Sequence, residues 1–169
     1  MSRRGRRGTS ARSLVRRPRT VWPALPALGW ETFGLTTVAL FLKMLFVVLL
    51  QGHVRTRNDA YVPPEDAAYF GKGAGPVVEE APLVRRAQNV LRNDGENVPI
   101  FLFLAAAYVQ LGCWGWGVLA YFPLFILSRV VHTVTYLWPR QPSRNRAYRV
   151  GVAVMLAMCG HIVWAVIGG

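Results

Sequence analysis

Two groups of polar side chains recur at helical spacing in segments that are expected to form membrane spans. Members of the first group lie at offsets of 0, 4, 7, 8 and 11, namely Arg85, Asn89, Arg92, Asn93 and Glu96. Members of the second group lie at offsets of 0, 3, 4 and 7, namely Arg129, His132, Thr133 and Tyr136. Residues at these intervals share one face of an α-helix. Guanidinium, imidazole, phenol and carboxylate groups on two such faces are suited to binding a charged ligand and to hydrogen-bonding its reactive atom.

The charged members of these groups fit two interpretations. In one, the charges balance each other in a purely structural network of Lys43, Arg92, Glu96 and Arg129, with His132 packed in the bundle and Tyr136 at the membrane interface. In the other, the arginines bind an anionic ligand, because a single glutamate cannot balance them all. Arginine recognises carboxylate and phosphate groups through paired hydrogen bonds. A charge within a membrane span costs about 2.5–3.5 kcal/mol and usually marks function, which favours the second interpretation for Arg92 and Arg129. The structural interpretation is favoured for Glu96 and Lys43, since either could neutralise a buried partner.

Four hydrophobic segments must position these side chains. The clearest is Phe33–Leu50, which has 18 residues and a single charge, Lys43. With the residues before it, this segment is long enough to cross a hydrocarbon core of about 30 Å. We expect membrane spans over residues 28–51, 83–111, 117–138 and 147–167, joined by a polar loop over 52–82 and a basic connection over 140–146. The sequence therefore predicts an all-α, multi-pass integral membrane protein whose four-helix bundle forms one domain, residues 27–169.

The composition supports this prediction and separates the charge into two parts. Hydrophobic residues make up 53% of the 169 residues and charged residues 17%, which argues against a soluble domain. Eight arginines in residues 1–20 account for most of the formal net charge of +12. We expect residues 1–26 to form a disordered basic tail. Because no further segment remains to build a basic domain, nucleic acid is not an expected partner, whereas the lipid bilayer is. The two cysteines indicate no metal site.

Both groups belong to longer motifs that resemble a known family. Residues 92–99, Arg-Asn-Asp-Gly-Glu-Asn-Val-Pro, are similar to the second-helix signature of the MAPEG family, the membrane-associated proteins in eicosanoid and glutathione metabolism. Residues 129–137, Arg-Val-Val-His-Thr-Val-Thr-Tyr-Leu, resemble its third-helix motif. Segments 54–57, 64–67 and 70–73 extend the resemblance through the first loop. It covers roughly residues 43–148 and is strongest to the branch of microsomal glutathione S-transferase and microsomal prostaglandin E synthase.

The resemblance implies a homotrimer that binds glutathione between adjacent subunits. By matched positions, the glutathione contacts would be Arg92, Asn93, Glu96, His132 and Tyr136, with Arg55 and Asp66 as additional candidates from the loop. Arg129 would support the site from behind. The catalytic arginine of the family follows the proline of the third connection by two residues, which gives Arg144; a one-residue shift leaves Arg146 as the alternative. Tyr136 or Asn145 would donate a hydrogen bond to the sulfur. Asn89 departs from the family, which often has arginine there.

The function implied is that of a membrane-bound glutathione S-transferase, which conjugates the glutathione thiolate to hydrophobic electrophiles and also reduces lipid hydroperoxides. Two alternatives stay open: a glutathione-dependent prostaglandin E synthase-type isomerase and a non-catalytic lipid-binding or scaffold protein. The membrane is a bacterial inner membrane, the endoplasmic reticulum or the mitochondrial outer membrane. The family arrangement places the first loop and the third connection in the cytoplasm, whereas the positive-inside rule would place the basic tail there.

Overall fold

The computed structural model describes residues 26–168, which form five α-helices and no strand. The helices are α1 (Pro26–Asn58), α2 (Pro64–Phe70), α3 (Pro82–Gln110), α4 (Gly115–Leu137) and α5 (Gln141–Ile167). The prediction of an all-α protein is confirmed for this part of the chain. The predicted disordered tail lies outside the described residues, except for Pro26, which begins α1.

Three of these helices are long and apolar enough to cross a membrane, namely α1 from Leu28, α4 and α5. Helix α3 has 29 residues, but its first half carries five charged side chains. Its length suffices for a span, whereas its composition alone does not identify one.

Proline fixes the start of three helices. It occupies the first or second position of α2, α3 and α5, where the missing N–H group has no helical partner in any case. With Pro142 in its first turn, α5 begins at Gln141 instead of the predicted residue 147, so most of the predicted connection over residues 140–146 is helical. The expected polar loop over 52–82 is likewise shorter, because α1 continues to Asn58 and α2 lies within it. Arg144, Asn145 and Arg146 thus belong to the first turns of a helix rather than to a loop.

The helices pack as two pairs that share one apolar core. Helix α1 packs against α3 and α4 against α5, and α4 also contacts α1 and α3. The rings of Phe101 and Phe125 stack at 3.8 Å between centroids in the middle of the core. A smaller cluster of Val47, Ala87, Val90 and Leu137 lies nearer the polar loops. This packing brings the polar faces of α3 and α4 together beside the start of α5.

Candidate active site

A buried ion pair joins α1 to α3. The Lys43 ammonium contacts the Asp94 carboxylate, whose side chain is fully buried. Glu96, the partner considered in the structural interpretation of the sequence, is exposed instead. The physical reason is helical geometry, because residues two positions apart point to nearly opposite sides of a helix. Within the described chain, Asp94 and not Glu96 is therefore the carboxylate that neutralises Lys43.

Arg129 lies next to this pair and is also fully buried. Its Nη1 donates a hydrogen bond to Asn93 Oδ1 at 3.0 Å, and its guanidinium lies 5.5 Å from the ring centroid of Phe125 and 6.0 Å from that of Tyr148. Arg129 Nε and Nη2 have no hydrogen-bond partner among the described residues. Two cations and one carboxylate thus leave this interior group with an excess positive charge.

A cavity of about 370 Å³ opens beside Arg129 between α3, α4 and α5. It is lined by Asn93, His132, Tyr136, Gln141, Arg144, Asn145 and Tyr148. The Arg144 guanidinium carbon lies 4.5 Å from the Tyr136 ring centroid, a cation–π distance that holds both side chains at the cavity wall. His132 is buried, and its Nδ1 atom has no hydrogen-bond partner among residues 26–168, which the structure describes. The cavity therefore presents one arginine and several hydrogen-bonding groups, with no acidic side chain in its lining.

Five of the residues predicted from the sequence meet in this cavity: Asn93, His132, Tyr136, Arg144 and Asn145. Arg129 lies behind its wall, through its contacts with Asn93 and Tyr148. Gln141 and Tyr148 were missed. The intervals from Gln141 to Arg144, Asn145 and Tyr148 are three, four and seven, so they share a helix face. That signal could have been used only with the correct start of α5.

The other predicted residues do not line the cavity within one chain. Arg92 and Glu96 are exposed on α3. Arg55 forms an ion pair with Glu80, with 3.2 Å between Arg55 Nε and Glu80 Oε2, and Asp66 is half-buried in α2. Arg146 lines a separate groove on the outside of α4 and α5. Of the two candidates for the catalytic arginine, Arg144 is the one that lies in the cavity.

The lack of a side chain at Gly151 leaves room for the buried side chain of Arg129, which gives a testable prediction. A Cβ atom at this position would lie 2.9 Å from Arg129 Nη2 and 3.0 Å from Ser128 Oγ, and both side chains are buried. Gly151→Ala is expected to lower the free energy of unfolding by about 1–3 kcal/mol through overpacking. The measurement is thermal unfolding of the purified protein in detergent.

Gly160 provides the matched control on the same helix, because a Cβ atom there meets no atom within 4 Å. Gly160→Ala is expected to leave stability unchanged or to raise it by up to about 1 kcal/mol, since alanine favours the helix. Equal midpoints of thermal unfolding for the two variants would show that the packing of Arg129 does not require a glycine at position 151.

Comparison with known proteins identifies the chain's relatives. The MAPEG family model matches residues 33–164. Prostaglandin E synthase of Macaca fascicularis is 38% identical over 144 residues, which are 84% of this chain and 90% of that protein. The human prostaglandin E synthase is 37% identical over the same length. Microsomal glutathione S-transferase 1 of Mus musculus is 35% identical over 124 residues, or 72% of this chain and 80% of that protein. The matched region includes α3, α4 and most of α5, and the chain therefore belongs to the MAPEG family and is an integral membrane protein.

Proposed function

We propose that this protein is a membrane-bound glutathione S-transferase that conjugates glutathione to hydrophobic electrophiles. The observation that carries the proposal is the cavity in which Arg144 stacks on Tyr136, with Asn93, His132 and Asn145 around it. The similarity to microsomal glutathione S-transferase 1 of Mus musculus supports the same activity.

The charges of the site match those of the two carboxylates of glutathione, which also carries one ammonium group. Arg144 and Arg129 supply positive charge at the cavity and behind it, and Asn93 is placed between Arg129 and the open space. Arginine stays protonated at every accessible pH, so this positive charge is permanent. An acidic partner for the ammonium group is absent from the cavity lining of a single chain. The site of one chain is thus complementary to only part of the ligand.

Arg144 has the properties needed to activate the thiol. A free thiol has a pKa of about 8.5 and reacts as the thiolate. A guanidinium beside the sulfur stabilises the thiolate and lowers this pKa, while the Asn145 amide or the Tyr136 hydroxyl donates a hydrogen bond to the sulfur. The thiol proton leaves to solvent, the sulfur electron pair forms the bond to carbon, and a leaving group such as halide departs with the electrons of the bond that breaks. The electrophile enters from the bilayer, where hydrophobic molecules concentrate.

A second copy of the chain would complete the site. Arg92 and Glu96 are exposed on α3, together with the apolar side chains of Ile100 and Phe103. Lipid cannot satisfy the polar groups, whereas a neighbouring subunit can. We therefore propose that α3 is the fourth membrane span, that it faces other subunits of a homotrimer, and that Glu96 from one subunit meets the glutathione ammonium held by the next.

This arrangement predicts complementation between inactive subunits. Arg92→Ala and Arg144→Ala chains are each expected to lose most conjugating activity. Mixed oligomers, isolated with a different tag on each chain, are expected to recover activity, because some sites then combine an intact Arg92 with an intact Arg144. Mixed oligomers of wild-type and Arg144→Ala chains are the positive control. If these are active and the complementing pair is not, both arginines act within one chain and the intersubunit site is wrong.

One observation favours a second function, glutathione-dependent isomerisation of a prostaglandin endoperoxide. The prostaglandin E synthases of Macaca fascicularis and human match a longer part of the chain than the mouse transferase does, at slightly higher identity. The transferase and isomerase require the same thiolate, so the cavity is compatible with both. Assays of the purified protein with an aryl halide, a lipid hydroperoxide and a prostaglandin endoperoxide separate transferase, peroxidase and isomerase. A non-catalytic scaffold would turn over none of them and would show no glutathione-dependent thermal shift.

The topology is a further part of the proposal. The polar loops and the start of α5 lie at the same end of the bundle as the cavity, and we place this end at the cytoplasmic face, where glutathione is available. Protease protection or reporter fusions at each terminus test this placement. A cytoplasmic amino terminus would instead support the orientation that the basic tail favours.

A further inference from the structure

A groove of about 300 Å³ lies on the outside of α4 and α5 and takes no part in the proposed reaction. Apolar side chains form most of it, including Leu127, Val131 and Val150, and all three are exposed in the structure. Ser143 and Arg146 line it near the beginning of α5. The groove is therefore amphipathic, with an apolar length and a cationic end.

The apolar length continues along one face of α4. Leu124, Leu127, Val131, Val134 and Trp138 are spaced by three, four, three and four residues, and each is between 37% and 68% exposed. This stripe ends in a tryptophan, the residue type enriched where a helix leaves the hydrocarbon region. A smaller cavity at this end is lined by Trp138 and Arg140. The stripe thus leads from the membrane interior to two arginines at the interface.

The positive charge of this region favours an anionic ligand in the groove. The sequence contains no aspartate or glutamate from Asn97 to Gly169, and within the described residues neither Arg140 nor Arg146 forms an ion pair. Arg146 Nε donates only a long hydrogen bond of 3.4 Å to the Pro142 carbonyl oxygen. A second copy of the same surface would bring arginine against arginine. A phosphate group carries the opposite charge, and arginine binds phosphate through its paired donors.

We propose that this groove is a specific binding site for an anionic phospholipid of the surrounding bilayer. Arg146 binds its phosphate with Ser143 as a hydrogen-bond donor, Arg140 adds positive charge from the neighbouring cavity, and one acyl chain follows the apolar stripe of α4. The site is separate from the glutathione cavity and does not depend on the reaction proposed for it. It assigns to Arg146 a role in lipid binding, whereas Arg144, two residues earlier, points to the glutathione cavity.

The test is a count of retained phospholipids by native mass spectrometry, on protein equilibrated with equal amounts of phosphatidylglycerol and phosphatidylcholine in detergent. Wild-type protein is expected to retain phosphatidylglycerol preferentially. Arg146→Gln and Arg140→Gln are each expected to reduce that preference about fivefold, the usual contribution of one basic residue near an anionic membrane surface. Val131→Trp, which fills the groove and leaves the charges in place, is expected to reduce the amount of lipid retained.

Arg149→Gln is the matched control, because Arg149 is exposed on the same helix and lines neither cavity nor groove. Its lipid preference is expected to equal that of the wild type. Equal loss in Arg149→Gln and Arg146→Gln would overturn the proposal in favour of a general effect of positive charge. No preference for phosphatidylglycerol in the wild type would also overturn it. Disulfide cross-linking of Leu127→Cys between two copies would place a second protein chain in the groove instead of lipid.

Discussion

Arg144→Ala is expected to lower the rate of glutathione conjugation by about 10²–10³-fold, the usual effect of removing one group that stabilises developing or transferred negative charge. The reason is the position of Arg144, which lies in the cavity wall with its guanidinium carbon 4.5 Å from the Tyr136 ring centroid. Loss of this cation leaves Tyr136 and Asn145 as hydrogen-bond donors, and neither carries a charge. The measurement is the steady-state rate with a reactive aryl halide.

The pH dependence distinguishes loss of thiolate stabilisation from loss of binding. In the wild type, we expect the bound thiol to have a lowered pKa and the rate to reach its plateau at a pH below the free thiol value of about 8.5. Without the guanidinium, the thiolate is less stable, the thiol pKa rises, and the plateau moves to higher pH. Arg149→Ala, on the same helix but outside the cavity, is expected to keep both the rate and the pH profile. An unchanged rate in Arg144→Ala would remove this residue from the reaction.

Lys43→Met is expected to be the most destabilising of the substitutions considered, at about 3–5 kcal/mol, because it leaves the buried Asp94 carboxylate without its partner. The effect should appear as a lower midpoint of thermal unfolding in detergent. The double variant Lys43→Met/Asp94→Leu is expected to recover part of this loss, since it removes both charges of the pair but leaves the buried Arg129 without a neighbouring carboxylate. This recovery separates the cost of an unpaired charge from the simple loss of packing.

Lys72→Met is the control for the loss of a lysine from an ion pair. Lys72 pairs with Asp59 at 3.7 Å, but its side chain is 76% exposed, so little stability is expected to depend on it. If the single Lys43 variant and the double variant have the same midpoint, the buried pair is not an electrostatic unit. Glutathione affinity should fall in Lys43→Met as well, because Asp94 adjoins Asn93, which lines the cavity and accepts the hydrogen bond from Arg129.

The sequence was sufficient to predict the family and the all-helical character of the chain. Both motifs could be recognised because their polar residues recur at helical spacing, and the family match over residues 33–164 confirms the resemblance drawn from them. Apolar length also located α1, α4 and the later part of α5. The four-span count and the trimer remain predictions, because α3 is too polar to be recognised by composition and only one chain is described.

The partner of Lys43 could not be predicted from the sequence. Asp94 and Glu96 lie within one short motif, and the choice between them depends on which side of α3 faces α1. That orientation is set by packing, since Val90 and Val98 are buried on the same side as Asp94 while Arg92 and Glu96 remain exposed. Spacing within one helix identifies a shared face but does not say what that face contacts.

The start of α5 also could not be predicted from the sequence, although it determines which arginine enters the cavity. Reading residues 140–146 as a connection left Arg146 open as an alternative to Arg144, because side chains in a loop have no fixed direction. The helix begins at Gln141, and side chains two positions apart on a helix differ in direction by about 200°. Arg144 therefore enters the cavity, whereas Arg146 enters the outer groove. Pro142 was the available signal, since proline is common in the first turn of a helix.

The most direct test of the proposed function is the initial rate of thioether formation from glutathione and a reactive aryl halide by the purified protein in detergent, measured as glutathione is varied. The proposal predicts a protein-dependent rate that saturates with glutathione. A rate no higher than that of the uncatalysed reaction, from protein that still unfolds cooperatively on heating, would contradict it.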